Sequence, residues 1–242
     1  MGRKWNNIKM KKAAQDRTRS LSYTKVLQEV TIAVKQGGAE ADSNFRLKVA
    51  LEKAKKNNVP KDNIDRAIQK GLGGDQSDWQ EVNYEGYGPE GVGVWVEAAT
   101  DNVTRTISNV RNFFKKAGGS IGKEGSLQFV FERKAVFNLK EEGQDVDELT
   151  LELIDFGAED VEAEDGFITI TAEVESYGTL YNKLEEMGIE LEESGLERIP
   201  LNEKAVTSKE NYDAILKLIE KLEDDEDVQK VYHNMEFNED WN

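Results

Sequence analysis

AEDVEAEDGFITITA, residues 158–172, reads as a β-hairpin, because Asp165-Gly166 is a strong two-residue turn signal between the two halves. Working outward, KAVFNL at 134–139 reads as a strand, and Val146, Leu149, Leu153 and Ile154 form a helix face before the hairpin. Tyr177, Leu180, Tyr181 and Leu184 form a second helix face after it, and IELEE from residue 189 starts a last strand. The order β-α-β-β-α-β is the ferredoxin-like arrangement. Residues 134–200 are therefore expected to make one small α/β domain.

On either side lies an incomplete version of the same thing. VGVWVEA, residues 92–98, is a buried strand; Ile107, Val110, Phe114 and Ala117 make a helix face closed by Gly118-Gly119; LQFVF, residues 127–131, reads as another strand. Past residue 200, Thr207 and Glu210 suit a capping box for a helix with Tyr212, Ile215, Leu216, Ile219 and Leu222 inward. VQKVYHN, residues 228–234, then closes as a strand. The expectation is a discontinuous α/β domain, 80–133 and 201–242, that carries 134–200 as an insertion.

Residues 1–73 read as helical. Apolar positions 23, 26, 27, 30, 33 and 34 keep a helical period that Gly37-Gly38 ends. Asp42 or Ser43 caps a second helix with Leu47, Ala50, Leu51 and Ala54 inward; Arg46, Lys53 and Lys56 border that stripe on one side, Lys48 and Lys55 on the other. Pro60 suits the first turn of a third helix, with Ile64, Ala67 and Ile68 inward and Gly71 as its stop. GLGGDQSDWQ, residues 71–80, has linker composition. The fold class is thus α+β: an N-terminal helical domain plus two α/β, ferredoxin-like domains, the third inserted in the second.

Charge divides the chain in the same place. Residues 1–73 hold 17 basic and 7 acidic side chains, a net +10, whereas the remaining 169 residues carry −26 within an overall −16. Asymmetry of this size concerns partners rather than fold, and draws the basic part to a polyanion while the acidic part is repelled. Arg3, Lys4, Lys9, Lys11, Lys12, Arg17 and Arg19 suit phosphate contacts, and Lys25, Arg46, Lys53 and Lys56 extend the surface. Trp5 among them suits either stacking on an unpaired base or capping a small core. Arg105, Arg111, Lys115 and Lys116 make a second, weaker patch. Charge of this kind supplies affinity, while sequence choice needs base contacts.

Other chemistry finds little support. The absence of cysteine removes disulfides and thiolate chemistry, and one histidine, His233, in the last strand suits a structural role. Gly86, Gly88 and Gly91 satisfy G-x-G-x-x-G, but they precede a strand and enclose Pro89, so a turn is the better reading than a dinucleotide site. Asn102-Val103-Thr104 reads as a helix start capped by Asp101 or Asn102 rather than a glycosylation site. Glu159, Asp160, Glu162, Glu164 and Asp165 lack the spacing of a calcium loop, and strand alternation splits them between two faces. With no apolar run of membrane length and no secretory leader pattern, the expected location is cytoplasmic. No cofactor, metal, catalytic residue or membrane partner is expected.

Six stretches carry a resemblance: MGRKWNNIKMKKAAQD, NVPKDNIDRAIQKGLGG, YEGYGPEGVGVWVEAATDN, RTISNVRNFF, GSLQFVFERK and DVQKVYHN. They run in order over nearly the whole chain, which resembles the YebC/PmpR family. The resemblance implies three domains around a cleft, the third inserted in the second, and a cytoplasmic DNA-binding transcriptional regulator. It also implies a second reading, because relatives that include a mitochondrial translational activator for cytochrome oxidase act on the ribosome, with RNA as the polyanion and proline-rich stretches as the task. Many members open with Gly-His-Ser-Lys-Trp; here the run is Gly2-Arg3-Lys4-Trp5, shorter and without histidine.

Overall fold

The computed structural model of the chain describes residues 19–74 and 79–241. These form two compact units, one of residues 19–74, 79–127 and 203–241, the other of residues 128–202.

The first unit begins with α1 (Arg19–Gly37), α2 (Phe45–Lys56) and α3 (Lys61–Gln69). Val30, Ala33 and Val34 of α1 close over Leu47 and Ala50 of α2 and Ala67 of α3. Neither Asp42 nor Ser43 caps α2. Asn44 does: its Oδ1 accepts the Leu47 N–H at 3.1 Å, and its Nδ2 donates to the Ala33 and Gly38 carbonyls, each at 2.7 Å. Only an amide offers an acceptor for the helix start and donors for the end of the preceding helix, which neither a carboxylate nor a hydroxyl can match. After α3 the chain makes a wide π-type turn, Lys70–Gly74, in which a Cβ on Gly71 would lie 2.6 Å from the Thr31 carbonyl oxygen. Gly71 therefore lets this turn cross α1 closely rather than stopping the helix.

Next come β1 (Gln80–Tyr87), β2 (Gly93–Thr100), α4 (Val103–Lys116) and β3 (Ser120–Ile121). The second unit follows as β4 (Phe131–Lys140), α5 (Val146–Ile154), β5 (Ala158–Glu164), β6 (Phe167–Ala172), α6 (Tyr177–Glu186) and β7 (Leu191–Pro200). The chain then returns to the first unit with α7 (Lys209–Glu223) and β8 (Val228–His233).

The sheet of the second unit has the order β5-β6-β4-β7, all antiparallel, which is the ferredoxin-like order anticipated from the hairpin. Asp165 and Gly166 both have positive φ, 52° and 81°, as a type I′ turn requires. Phe137, Leu153, Ile170, Leu180 and Leu184 fill the core. Ile154 does not join them: it is 60% exposed, being one position past the inward stripe.

The sheet of the first unit has the order β3-β1-β2-β8. Its spatial pattern matches the other sheet, with β2 in the place of β4, β3 of β5, β1 of β6 and β8 of β7. The strand that comes third in the ferredoxin-like order is here supplied first, by residues 80–87. Val94, Val96, Val110, Phe114, Tyr212, Ile215 and Leu222 fill the space between this sheet and its two helices.

Two expectations fail here. LQFVF is not a strand: residues 124–130 are turns, with Leu127 buried and Phe129 79% exposed. The buried Glu85 carboxylate holds those turns, accepting the Gly125 N–H at 2.7 Å and the Leu127 N–H at 2.6 Å. The cap of α7 is Ser208, whose hydroxyl accepts the Asn211 N–H. Thr207 instead donates its N–H and hydroxyl to Glu90, both at 2.9 Å. In G-x-G-x-x-G, Gly86 lies in β1, and Gly88 and Gly91 belong to the turn from β1 to β2, with Gly91 at φ 81°. Asn102 caps α4, accepting the Arg105 N–H. No helix among the described residues is long and apolar enough to cross a membrane.

Candidate nucleic-acid interface

Much of the expected interface lies outside the described residues: Arg3, Lys4, Trp5, Lys9, Lys11, Lys12 and Arg17. Arg19 opens α1. Four further positions, Lys25, Arg46, Lys53 and Lys56, are described with their surroundings.

Lys25 sits at the joint between the helical segment and the α/β core. Its Nζ donates to the Glu223 carbonyl at 2.6 Å, at the C-terminal end of α7 where the helix dipole favours a cation. Burial pulls its pKa below the usual lysine value, against the opposing pull of Glu223, Asp225 and Asp224. Gln28, one turn on, donates to the Glu226 carbonyl and accepts from Gln229.

Arg46 makes a two-point pair with Glu81 of β1 and donates to Gln36. Its hydrogen bond to Glu81 raises an already high pKa. Both partners of the ion pair are nearly half exposed, so solvent screens it. Lys53 reaches Glu29 of α1 at 2.7 Å. Lys55 and Lys56 are exposed at the end of α2. Lys25, Arg46 and Lys53 thus reach internal acceptors, a result that sequence spacing could not show because Glu223, Glu81 and Glu29 are 24 to 198 residues away from them.

The helical segment and α4 meet a common element. Residues 223–227, Glu-Asp-Asp-Glu-Asp, turn from α7 into β8. On one flank they take Lys25 and Gln28. On the other, Arg105 donates to Asp227 at 2.7 Å and Asp101 at 3.0 Å, Thr106 donates to Asp227 at 2.8 Å, and Asn109 donates to Asp225 at 3.0 Å. Five consecutive acids were a visible signal that such a hub existed. Arg105 is therefore committed to the protein's own carboxylates and leaves the second patch to Arg111, Lys115 and Lys116, which are exposed. His233 is buried, with its Nδ1 accepting the Met235 N–H at 3.3 Å.

Fold and charge define a class: a cationic helical segment joined to two ferredoxin-like sheets, one nested in the other. Known proteins share this plan. Residues 3–74 match the family profile described as TACO1/YebC protein N-terminal domain, and residues 79–235 match TACO1/YebC second and third domain. The chain belongs to the TACO1/YebC family. A "probable transcriptional regulatory protein" of Parabacteroides distasonis is 46% identical over 236 residues, 97% of each chain. Another so named, from Porphyromonas gingivalis, is 43% identical over 97% of each. The crystal structure of a conserved hypothetical protein from Aquifex aeolicus superposes with a TM-score of 0.84 at 36% identity, covering 93% of each chain. The Parabacteroides distasonis and Porphyromonas gingivalis relatives both bear the names of regulatory proteins, not of enzymes.

Proposed function

We propose that this chain is a regulator of gene expression that binds duplex DNA through the phosphate backbone, led by its basic N-terminal domain, in the cytoplasm. Its domains are residues 1–73, the discontinuous 80–133 with 201–242, and the inserted 134–200. The observation that carries the reading is the division of charge, +10 over residues 1–73 against −26 over the rest. The names borne by relatives support a role in transcription. The internal partners of Lys25, Arg46 and Lys53 move the weight of phosphate binding onto residues 3–19 and the exposed Lys55.

A salt titration tests this. With about five cations on phosphates, log K falls against log salt with a slope of roughly −4.5 on duplex DNA and about −3.5 on a single strand. Deleting residues 1–20 flattens the slope. Unchanged binding by the deletion overturns the assignment. A specificity ratio above roughly a thousand on a defined promoter is the expected mark of a site-specific regulator. Co-sedimentation with ribosomes that survives DNase but not RNase would instead transfer the activity to translation on RNA.

A further inference from the structure

The helices α4 and α7 pack on one face of the same sheet, yet their solvent faces differ. Helix α7 mixes Lys209, Lys217 and Lys221 with Glu210, Asp213, Glu220 and Glu223. Helix α4, VTRTISNVRNFFKK, holds four cations and no acid. At 100° per residue, Thr106, Val110 and Phe114 point inward and are buried, while Thr104, Ser108, Arg111, Asn112, Lys115 and Lys116 share the opposite arc and are all exposed. With Arg105 engaged by Asp227 and Asp101, three cations remain there, and none makes an ion pair among the described residues.

Helix-dipole complementarity accounts for Lys115 and Lys116 in the last turn, but it fades within that turn and does not explain Arg111. Nor does it explain an acid-free helix in a segment that carries −26. The outer arc holds only cations, hydroxyls and an amide; the Ser108 hydroxyl donates to the Thr104 carbonyl at 2.7 Å, which leaves the cations and Asn112 as the main donors for phosphate and sugar oxygens. It has no aromatic ring on which an unpaired base could stack, so it suits the backbone of a duplex rather than a single strand.

We infer that the outer face of α4 is a second DNA contact, in which Arg111, Lys115 and Lys116 bind duplex phosphates and Asn112 donates beside them. This rests on the DNA-binding reading above and adds a surface outside the basic N-terminal domain.

The test compares full-length proteins on a duplex DNA of about three helical turns by fluorescence anisotropy. The variant R111Q/K115Q/K116Q should bind roughly tenfold or more weakly and drop about 2–3 units of salt slope, near 0.9 for each phosphate it no longer neutralises. R111K/K115R/K116R keeps the charge and should bind as wild type. K217Q/K221Q on α7 is the control for loss of cations and should change little. R111Q alone should drop about one unit of slope, and a melting curve confirms each fold. If the triple variant keeps wild-type affinity and slope while deletion of residues 1–20 still flattens it, the α4 contact is wrong and the DNA-binding reading stands. An equal loss in the α7 control, or a loss confined to an RNA duplex, also overturns it. Failure of the wild type to bind duplex DNA removes both.

Discussion

Glu85 and Glu90 show how single carboxylates replace regular structure in this chain. Glu85 fastens the turns after β3, and Glu90 fastens the start of α7, accepting from Thr207 and from Asn211 Nδ2 at 2.8 Å. The bonds from Asn211 first, then Thr207, hold the Glu90 carboxyl below the usual carboxylate range. A lowered carboxylate pKa adds stability above its unfolded value and loses it as pH falls through the folded one. E90Q is therefore expected to be less stable than wild type at neutral pH, with the gap narrowing below about pH 4; urea midpoints at neutral and acid pH measure it. Gly119 meets a harder limit. A Cβ there would lie 2.3 Å from the Tyr87 carbonyl oxygen and 3.0 Å from the Gly88 Cα, both backbone atoms that cannot rotate away. G119A should cost about 1–3 kcal/mol in denaturant unfolding, the range for overpacking.

Among the elements, Asn44 joins two helices with three hydrogen bonds. N44A removes the α2 cap and leaves the Ala33 and Gly38 carbonyls without this donor, so about 2 kcal/mol of destabilisation is expected by thermal melting. N44D keeps the cap acceptor but sets a buried carboxylate oxygen against those two carbonyls, so it should be at least as destabilising as N44A. The inserted unit was legible in the sequence because hairpin turn and helical period agreed along its length. β1 was not, since QEVNYEGY is largely polar and only Tyr84, Glu85 and Gly86 are buried. LQFVF misled for the opposite reason: it has strand composition, yet a distant carboxylate captures the N–H of its first residue, Leu127. The charge division that suggests the interface was legible too. The internal partners of Lys25 and Arg46 were not, because they depend on tertiary approach.

At the scale of the molecule, Arg46 tests whether the described cations take part in binding. Glu81 competes with any phosphate for that guanidinium. E81Q should raise duplex DNA affinity several-fold and steepen the salt slope by about one unit, read by the same anisotropy titration. Unchanged binding would make Arg46 a joint residue only. The nesting of the units bears on how the protein is made. Phe131 pairs with Pro200, and the Leu201 N–H reaches the Val130 carbonyl at 2.9 Å, so both ends of the insertion meet at its own base. A chain emerging residue by residue completes this guest while its host still lacks α7 and β8. The part of the host's sheet face that α7 covers must wait bare, beside α4, until the final forty or so residues arrive, so a premature stop codon near the 3′ end is expected to leave a finished guest on an incomplete, protease-sensitive host.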